Sequence, residues 1–574
     1  MKKYMKCFLL LLIICLLFPL CTLGGENVTD NGNIADSQQV KNLEKLCKVW
    51  GYTKYNHPTF LFGEKDWDEE LLNLIPVVSK AKEDKVNGIL HEWFVSLGEI
   101  DYGISRLGSK PTESEAIVQA DTSWILNKAY LGEELSTDMQ KLGPVPKIDR
   151  RKAPVKFSTG QGVPNFKTEN TDTDCSYQTE EERLLGLFRV WNAIEYYFPY
   201  IDIMNESWHD LLSEFIPKML QASDRLSFEL TLCELTAHLH DGHVLLINNQ
   251  VLKNIFGKYL APVSMLRTKE GQWVVNDLFW ECPLQVGDVI LELDGTDIKE
   301  IEENRKKYIS VPNDKKLLNQ LGMYLLRSQD EEMEITVLRD GKEEICSIKG
   351  TSQYTYITRK AEKSHEILDG NIGLINPGAL PTGDTGTVVR QVMNDLRDTN
   401  GLIVDLRQYP SDPNMHTFLS MYLQKAGTVY NIMTVPSQSV PGTFIKQKMT
   451  SWGVSPAIFY YEKPVVVLMD ETSISNSEFS IMDLRTGDHV VILGNNSLGT
   501  DGDITELPLP NGNLLWFSSC GIYTPEMGQT QRIGLAPDIE VYPTIEGIKE
   551  GRDELMEAAI EYIQKQKNDT STIE

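Results

Sequence analysis

Two kinds of hydrophobic spacing divide the chain. In "KLCKVWGYTKY" (Lys45–Tyr55) and "LGLFRVWNAIEYY" (Leu185–Tyr197), apolar residues recur at helical spacing and predict amphipathic helices with aromatic anchors. From about Leu260 to Gly350 the runs shorten into strands separated by turn residues, with "PLQVGDVILELDGTDI" at their centre. From Gly370 onward strands and helices alternate. "NIGLINP" precedes a helix through Val388 to Leu396, and "GLIVDL" precedes one near Met415 to Leu423. "PVVVLMD", the helix "SEFSIMDLR" and the strand "HVVILG" follow. Alternation of this kind predicts right-handed crossovers and a largely parallel sheet, with ligands gathered at the carboxyl ends of its strands.

The helical half repeats itself. "CKVWGYTKYNHP" from Cys47 recurs as "FRVWNAIEYYFP" from Phe188, at an offset of 141 that also relates Trp67 to Trp208 and Ile75-Pro76 to Ile216-Pro217. Two related helical modules are expected, at 38–142 and 177–250, joined by a linker at 143–176 rich in Pro, Lys, Thr and Asn. The copies end differently: the second closes on "LTAHLHDGHVLL", the first on "VSLGEIDYGISR" without a histidine. Only one copy therefore carries a candidate functional group there.

Length and composition narrow the class. A chain of 574 residues, 41% apolar and 24% charged, suggests about three or four globular domains. The start, "MKKYMKCFLLLLIICLLFPLCTLGG", has the basic head, apolar run and small residues (Thr22, Gly24) of a secretory signal over 1–24. Export to the periplasm, envelope or medium is expected. Lipidation at Cys21 is disfavoured, because Phe18-Pro19-Leu20 lacks the small residue such a signal prefers. The formal charge of −27, or −30 once Lys2, Lys3 and Lys6 are removed, argues against nucleic-acid partners. Cys47, Cys175, Cys233, Cys282, Cys346 and Cys520 show neither a metal-binding nor a disulfide-framework spacing.

The candidate chemistry lies in "MDETSISNSEFSIMDLR", with Ser473, Ser475 and Ser477 between a strand and a helix. A serine at a helix N-terminus lies near free backbone N–H groups that can hold an oxyanion. A capping box from Ser475 to Glu478 explains the same letters without catalysis. Strand, "SxSxSE", helix, strand and a glycine-containing loop together resemble the C-terminal-processing and tricorn-type serine peptidase family. "GLIVDLRQYPSD" is similar to that family's oxyanion loop, with Ser411-Asp412 in place of its glycine pair. "YTPEMGQTQRIGLAPDIEVYPT" is similar to its closing segment, and the Leu260–Gly350 strands resemble a PDZ domain. The resemblance covers roughly Glu180 to Glu557. It implies a multidomain α+β protein: duplicated helical modules, a PDZ-like β-domain at 258–350, and an α/β catalytic core of the ClpP/crotonase kind at 351–566.

The resemblance also implies site residues. Ser475 corresponds to the nucleophile. The family's processing branch activates it with a lysine, but in "SLGTDGDI" Thr500 holds that place and Ile504 replaces the accompanying glutamine. The tricorn-type branch instead takes a histidine from an "L.DGH" motif, here His243 in "LHDGH", whose imidazole suits a general base. His238 and His240 are then supporting or structural residues. Gln531 falls where that branch has an orienting carboxylate; Glu478 or Asp241 are the alternatives. Asn476 and the Ser411-Asp412 loop are the expected oxyanion donors, and closure between domains is expected to assemble the site.

Two rivals stand beside this reading. "HLHDGH" comes close to a zinc-hydrolase motif, with His365, His416 or His489 available to complete a site. A peptide-binding protein that keeps the fold without turnover is the other. The expected function is an exported serine peptidase acting on extended or unfolded polypeptides, with no metal or organic cofactor.

Overall fold

The computed structural model describes residues 37–571 except 104–110, 113, 160–161, 172–174, 313–321, 323 and 353–361. The expected signal, 1–24, lies outside the described residues. No described helix is long and apolar enough to cross a membrane.

The helical half contains Ser37–Asn56, Trp67–Ser79 and Glu83–Ser96, then Glu180–Tyr197, Trp208–Gln221 and Arg225–Ala237. Their starts follow local chemistry: Asp66 accepts from the Asp68 and Glu69 N–H groups, Thr179 and Glu182 form a capping box, and Ser207 accepts from Asp210 N–H. Each set is tied by the same bond. The Trp50 indole N–H donates to Trp67 O at 2.8 Å, and the Trp191 indole N–H to Trp208 O at 3.0 Å. Pro76 and Pro217 both lie inside the helix that follows.

The two sets share one core rather than standing apart. Gly51 lets helices Ser37–Asn56 and Glu180–Tyr197 touch, since a Cβ there would lie 1.7 Å from Asn192 Oδ1. The segment 143–176, expected to be a linker, is packed into that core through buried Val155, Phe166, Glu169 and Cys175. Glu169 has a physical reason to be there. Its carboxylate meets Lys54 Nζ at 2.6 Å and Arg189 Nε at 3.4 Å, while Arg189 Nη2 meets Asp68 at 2.6 Å. Lys54, Glu169 and Arg189 have fully buried side chains, so the charges depend on one another for stabilisation. Arg189 also donates to Pro508 O at 2.9 Å, tying the helices to the C-terminal half.

Residues 259–351 form a separate β layer. Antiparallel strands follow the order Lys342–Lys349, Glu332–Arg339, Val289–Leu293, Trp273–Leu278, Val263–Arg267, with helix Ile298–Lys306 packed alongside. The apolar core beneath includes Trp273, Ile290, Leu293, Ile335 and Val337. The chain enters and leaves this layer side by side: Leu260 and Thr351 exchange both backbone hydrogen bonds, each 2.9 Å.

The C-terminal half is built on a six-stranded sheet in chain order: His365–Leu368, Ile372–Ile375, Leu402–Asp405, Val465–Met469, Val490–Gly494 and Ile539–Glu540. All pairs after the first are parallel, as the alternating pattern predicts. Helices Thr385–Asp395, Met415–Leu423 and Asn476–Leu484 lie between the strands in sequence. Two smaller sheets sew the helical half to this core. Ala116–Val118 pairs with Thr443–Thr450, and Leu245–Ile247 pairs with Leu514–Ser518 in register Trp516↔Leu245. The second seam corrects the expectation of closure between domains. The strand that follows His243 is hydrogen-bonded into a sheet of the C-terminal half, so the "LHDGH" loop is held in place.

Candidate active site

The three serines have different surroundings. Ser473 hydroxyl donates to Leu406 O at 2.9 Å and accepts from Asp470 N–H at 3.2 Å, so it braces the turn. Ser477 is fully buried. Ser475, half-buried, is the residue before helix Asn476–Leu484 and has φ 55° and ψ −119°, a region that strains a non-glycine backbone. The capping box does not form: Ser475 makes no side-chain cap bond. Glu478 instead turns to the next loop, accepting from Ser497 Oγ at 2.5 Å, Gly499 N–H at 2.9 Å and Thr500 N–H at 2.8 Å. The capping explanation for a serine at 475 therefore does not apply.

The "LHDGH" loop folds around Asp241. Its Oδ1 accepts from His243 N–H (3.0 Å), Ser518 Oγ–H (3.0 Å) and Gln531 Nε2–H (3.2 Å), and its Oδ2 from Ser518 N–H (2.9 Å). His243 Nδ1 lies 2.8 Å from Ser518 Oγ. The Ser518 hydroxyl thus lies between the Asp241 carboxylate, to which it donates, and the His243 ring. The ring's Nε2 is buried and has no hydrogen-bond partner among the described residues. Burial lowers the imidazole's pKa, against which the Asp241 charge acts in the opposite sense.

Thr500 joins the two segments. Its Oγ1 accepts from Gly242 N–H at 3.1 Å, and its carbonyl accepts from Ser475 N–H at 2.8 Å. At the place where the processing branch has a lysine, this chain has a hydroxyl that clasps the histidine loop to the serine turn. Next to it, burial and then the Glu478 charge hold the Asp501 carboxyl well above the usual range.

The remaining expectations fare unevenly. Asn476 opens the helix, so its N–H is one that the helix cannot satisfy. The Ser411 N–H is engaged by Pro377 O at 3.1 Å and its hydroxyl by Leu380 O at 2.6 Å, which removes Ser411 as an oxyanion donor. The Asp412 carboxylate shapes the same loop, accepting from Thr385 Oγ1 at 2.5 Å and Asn414 N–H at 2.8 Å. That loop leads from Arg407, which forks onto Asp405 and Asp553 and whose carbonyl takes the Thr472 hydroxyl at 2.8 Å. Gln531 does not reach His243; it donates to Asp241, where a second carboxylate would be repelled. Ser518 was not legible as a site residue, because a single sequence carries no signal linking positions 275 apart.

The histidines of the zinc rival diverge. His240 Nδ1 faces Val311 O at 3.1 Å, His238 faces Glu206 at 3.5 Å, and His243 faces Ser518. His416 is paired with Asp483 at 2.7 Å and His365 with Asp395 at 3.2 Å. Among the described residues no three His, Cys, Asp or Glu side chains form a group able to hold a metal ion.

Residues 371–541 match the model of peptidase family S41. Among curated proteins, none matches. The fold is similar to that of a mutant of CPAF, with TM-score 0.50 and 12% identity, covering 68% of this chain and 96% of that one. The photosystem II D1 C-terminal processing protease aligns with TM-score 0.37 and 16% identity, over 65% of this chain and 98% of that one. A candidate peptidase from Parabacteroides merdae ATCC 43184 aligns with TM-score 0.42 and 16% identity, over 67% of this chain and 96% of that one.

Proposed function

We propose, from the match of residues 371–541 to peptidase family S41, that this chain is a serine-type peptidase with Ser475 as its nucleophile and His243 as its general base. The single observation that carries this is the state of the two groups. Ser475 has no capping role at a strained turn, and His243 presents an unpartnered Nε2 on a loop clasped to that turn by Thr500.

In the step that follows, Ser475 Oγ adds to the scissile carbonyl carbon as its proton passes to His243 Nε2. The Asn476 N–H stabilises the oxyanion, with a second donor from the loop that includes Asp412. The imidazolium then gives its proton to the leaving amine, and the C–N bond breaks. Water, deprotonated by the same Nε2, hydrolyses the acyl-enzyme.

The substrate is an extended or unfolded polypeptide. The β layer at 258–350 supports this as a PDZ-like module that binds peptide by strand addition. It also contacts the site: Ser310 Oγ accepts from Asp241 N–H at 2.9 Å. Gating of the site by this module is part of the proposal. The matched Trp50–Trp67 and Trp191–Trp208 bonds support reading the helical half as two copies of one module. The 1–24 segment supports export.

The test is peptide hydrolysis by purified mature protein on a mixed peptide pool, read by mass spectrometry, with and without chelator. Ser475→Ala and His243→Ala, each folded, are expected to lose about 10³-fold or more of kcat. Cleavage that survives Ser475→Ala and dies with chelator sinks the serine mechanism. Peptide binding without cleavage by the parent protein points to the inactive binder.

A further inference from the structure

We propose that Ser518 is a positioning residue for the reaction, a hydroxyl relay through which Asp241 orients His243 without touching it. The inference rests on the Ser475/His243 reading above and adds to it the device that sets the histidine's tautomer.

The geometry fixes the direction of the relay. Asp241 is fully buried, and four donors converge on its two oxygens, so its role is that of acceptor. Ser518 gives it both a backbone N–H, at 2.9 Å, and a hydroxyl, at 3.0 Å. A serine hydroxyl has one proton, and once Asp241 takes it only lone pairs face His243 Nδ1 at 2.8 Å. The imidazole must therefore carry its proton on Nδ1, which leaves Nε2 basic. Reversing any link reverses the outcome.

Other groups do not serve. Gln531 stops at Asp241, and Glu478 is taken up by Ser497, Gly499 and Thr500. Ser518 is itself rigid: it ends strand Leu514–Ser518, whose partner strand, Leu245–Ile247, begins two residues after His243. The same seam that fixes the loop thus fixes the hydroxyl beside it. Asp241 stabilises the imidazolium across one intervening dipole, not by a contact ion pair.

Two substitutions separate relay from scaffold. Ser518→Ala removes the hydroxyl and is expected to lower kcat about 10²-fold with KM nearly unchanged. Ser518→Thr restores a hydroxyl and most of the rate. Asp241→Asn is expected to be worse than Ser518→Ala, because an amide can donate to Ser518 Oγ and drive the hydroxyl proton toward Nδ1, placing the imidazole proton on Nε2. Thermal melts establish that each variant is folded.

The readout independent of turnover is the ¹⁵N signal of His243 in histidine-labelled protein, assigned by loss in His243→Ala. The parent is expected to show the Nδ1–H tautomer above the imidazole pKa, and Ser518→Ala a mixture. A pure Nδ1–H signal in folded Ser518→Ala, or threonine no better than alanine in a folded protein, overturns the relay. If His243→Ala retains full peptidase activity, the general-base reading itself fails, whatever the tautomer signal shows.

Discussion

Ser475 and His243 show how a residue's surroundings decide between chemistry and structure. The letters around Ser475 fit a capping box as well as a nucleophile turn. The capping box is excluded by φ 55° and by Glu478, whose carboxylate reaches to the 497–500 loop while the Ser475 N–H it would have taken goes to Thr500 O. The "LHDGH" motif singles out His243 as a candidate, whereas the Ser518 and Thr500 bonds to its loop arise only when distant strands meet. The pH dependence follows from the histidine's burial. Desolvation lowers its pKa, and the neutral form is the competent base, so the acid limb of kcat/KM is expected below the ordinary imidazole value of about 6.5. A profile of kcat/KM from acid to neutral pH checks it; an acid limb above that value would mean that the Asp241 charge outweighs burial.

Helices and strands were the most legible level, because their spacing reports burial directly. The parallel strands at Ile372, Leu402 and Val465 are short apolar runs followed by helices, and together with Val490–Gly494 they form as the pattern predicts. The 143–176 segment was misleading for a definite reason. Its Pro, Lys and Thr content reads as solvated, but Glu169 is drawn inside by Lys54, which it meets at 2.6 Å, and by Arg189, which it shares with Asp68. Cutting one partner from this cluster leaves the others charged and dry. Arg189→Met is expected to destabilise the fold by about 3–5 kcal/mol, measurable as a lower urea midpoint; a loss within error would mean that Lys54 alone neutralises the two carboxylates.

Across the whole molecule, the helical half and the parallel-sheet core are one hydrogen-bonded body. The seams at Ala116–Val118 and Leu245–Ile247 join segments hundreds of residues apart, and short strands of this kind carry too weak a pattern to be paired from sequence. The β layer is an insertion between Leu260 and Thr351 that also meets this body through Ser310–Asp241 and Asp340–Lys549. Replacing Leu260–Gly350 with a short Gly/Ser linker is expected to leave a cooperative melt while altering peptidase turnover, most strongly on long unfolded chains. Unchanged turnover of both short and long peptides in the folded deletion would rule out gating by this layer.

The reciprocal pair at Leu260 and Thr351 has a consequence for descent as well as for function. Some ninety residues hang from a doorway one peptide wide. Changes of length at the far edge of this layer can therefore leave the parallel strands in register, whereas changes at Ser310 or Val311 reach the Asp241 and His240 loop directly.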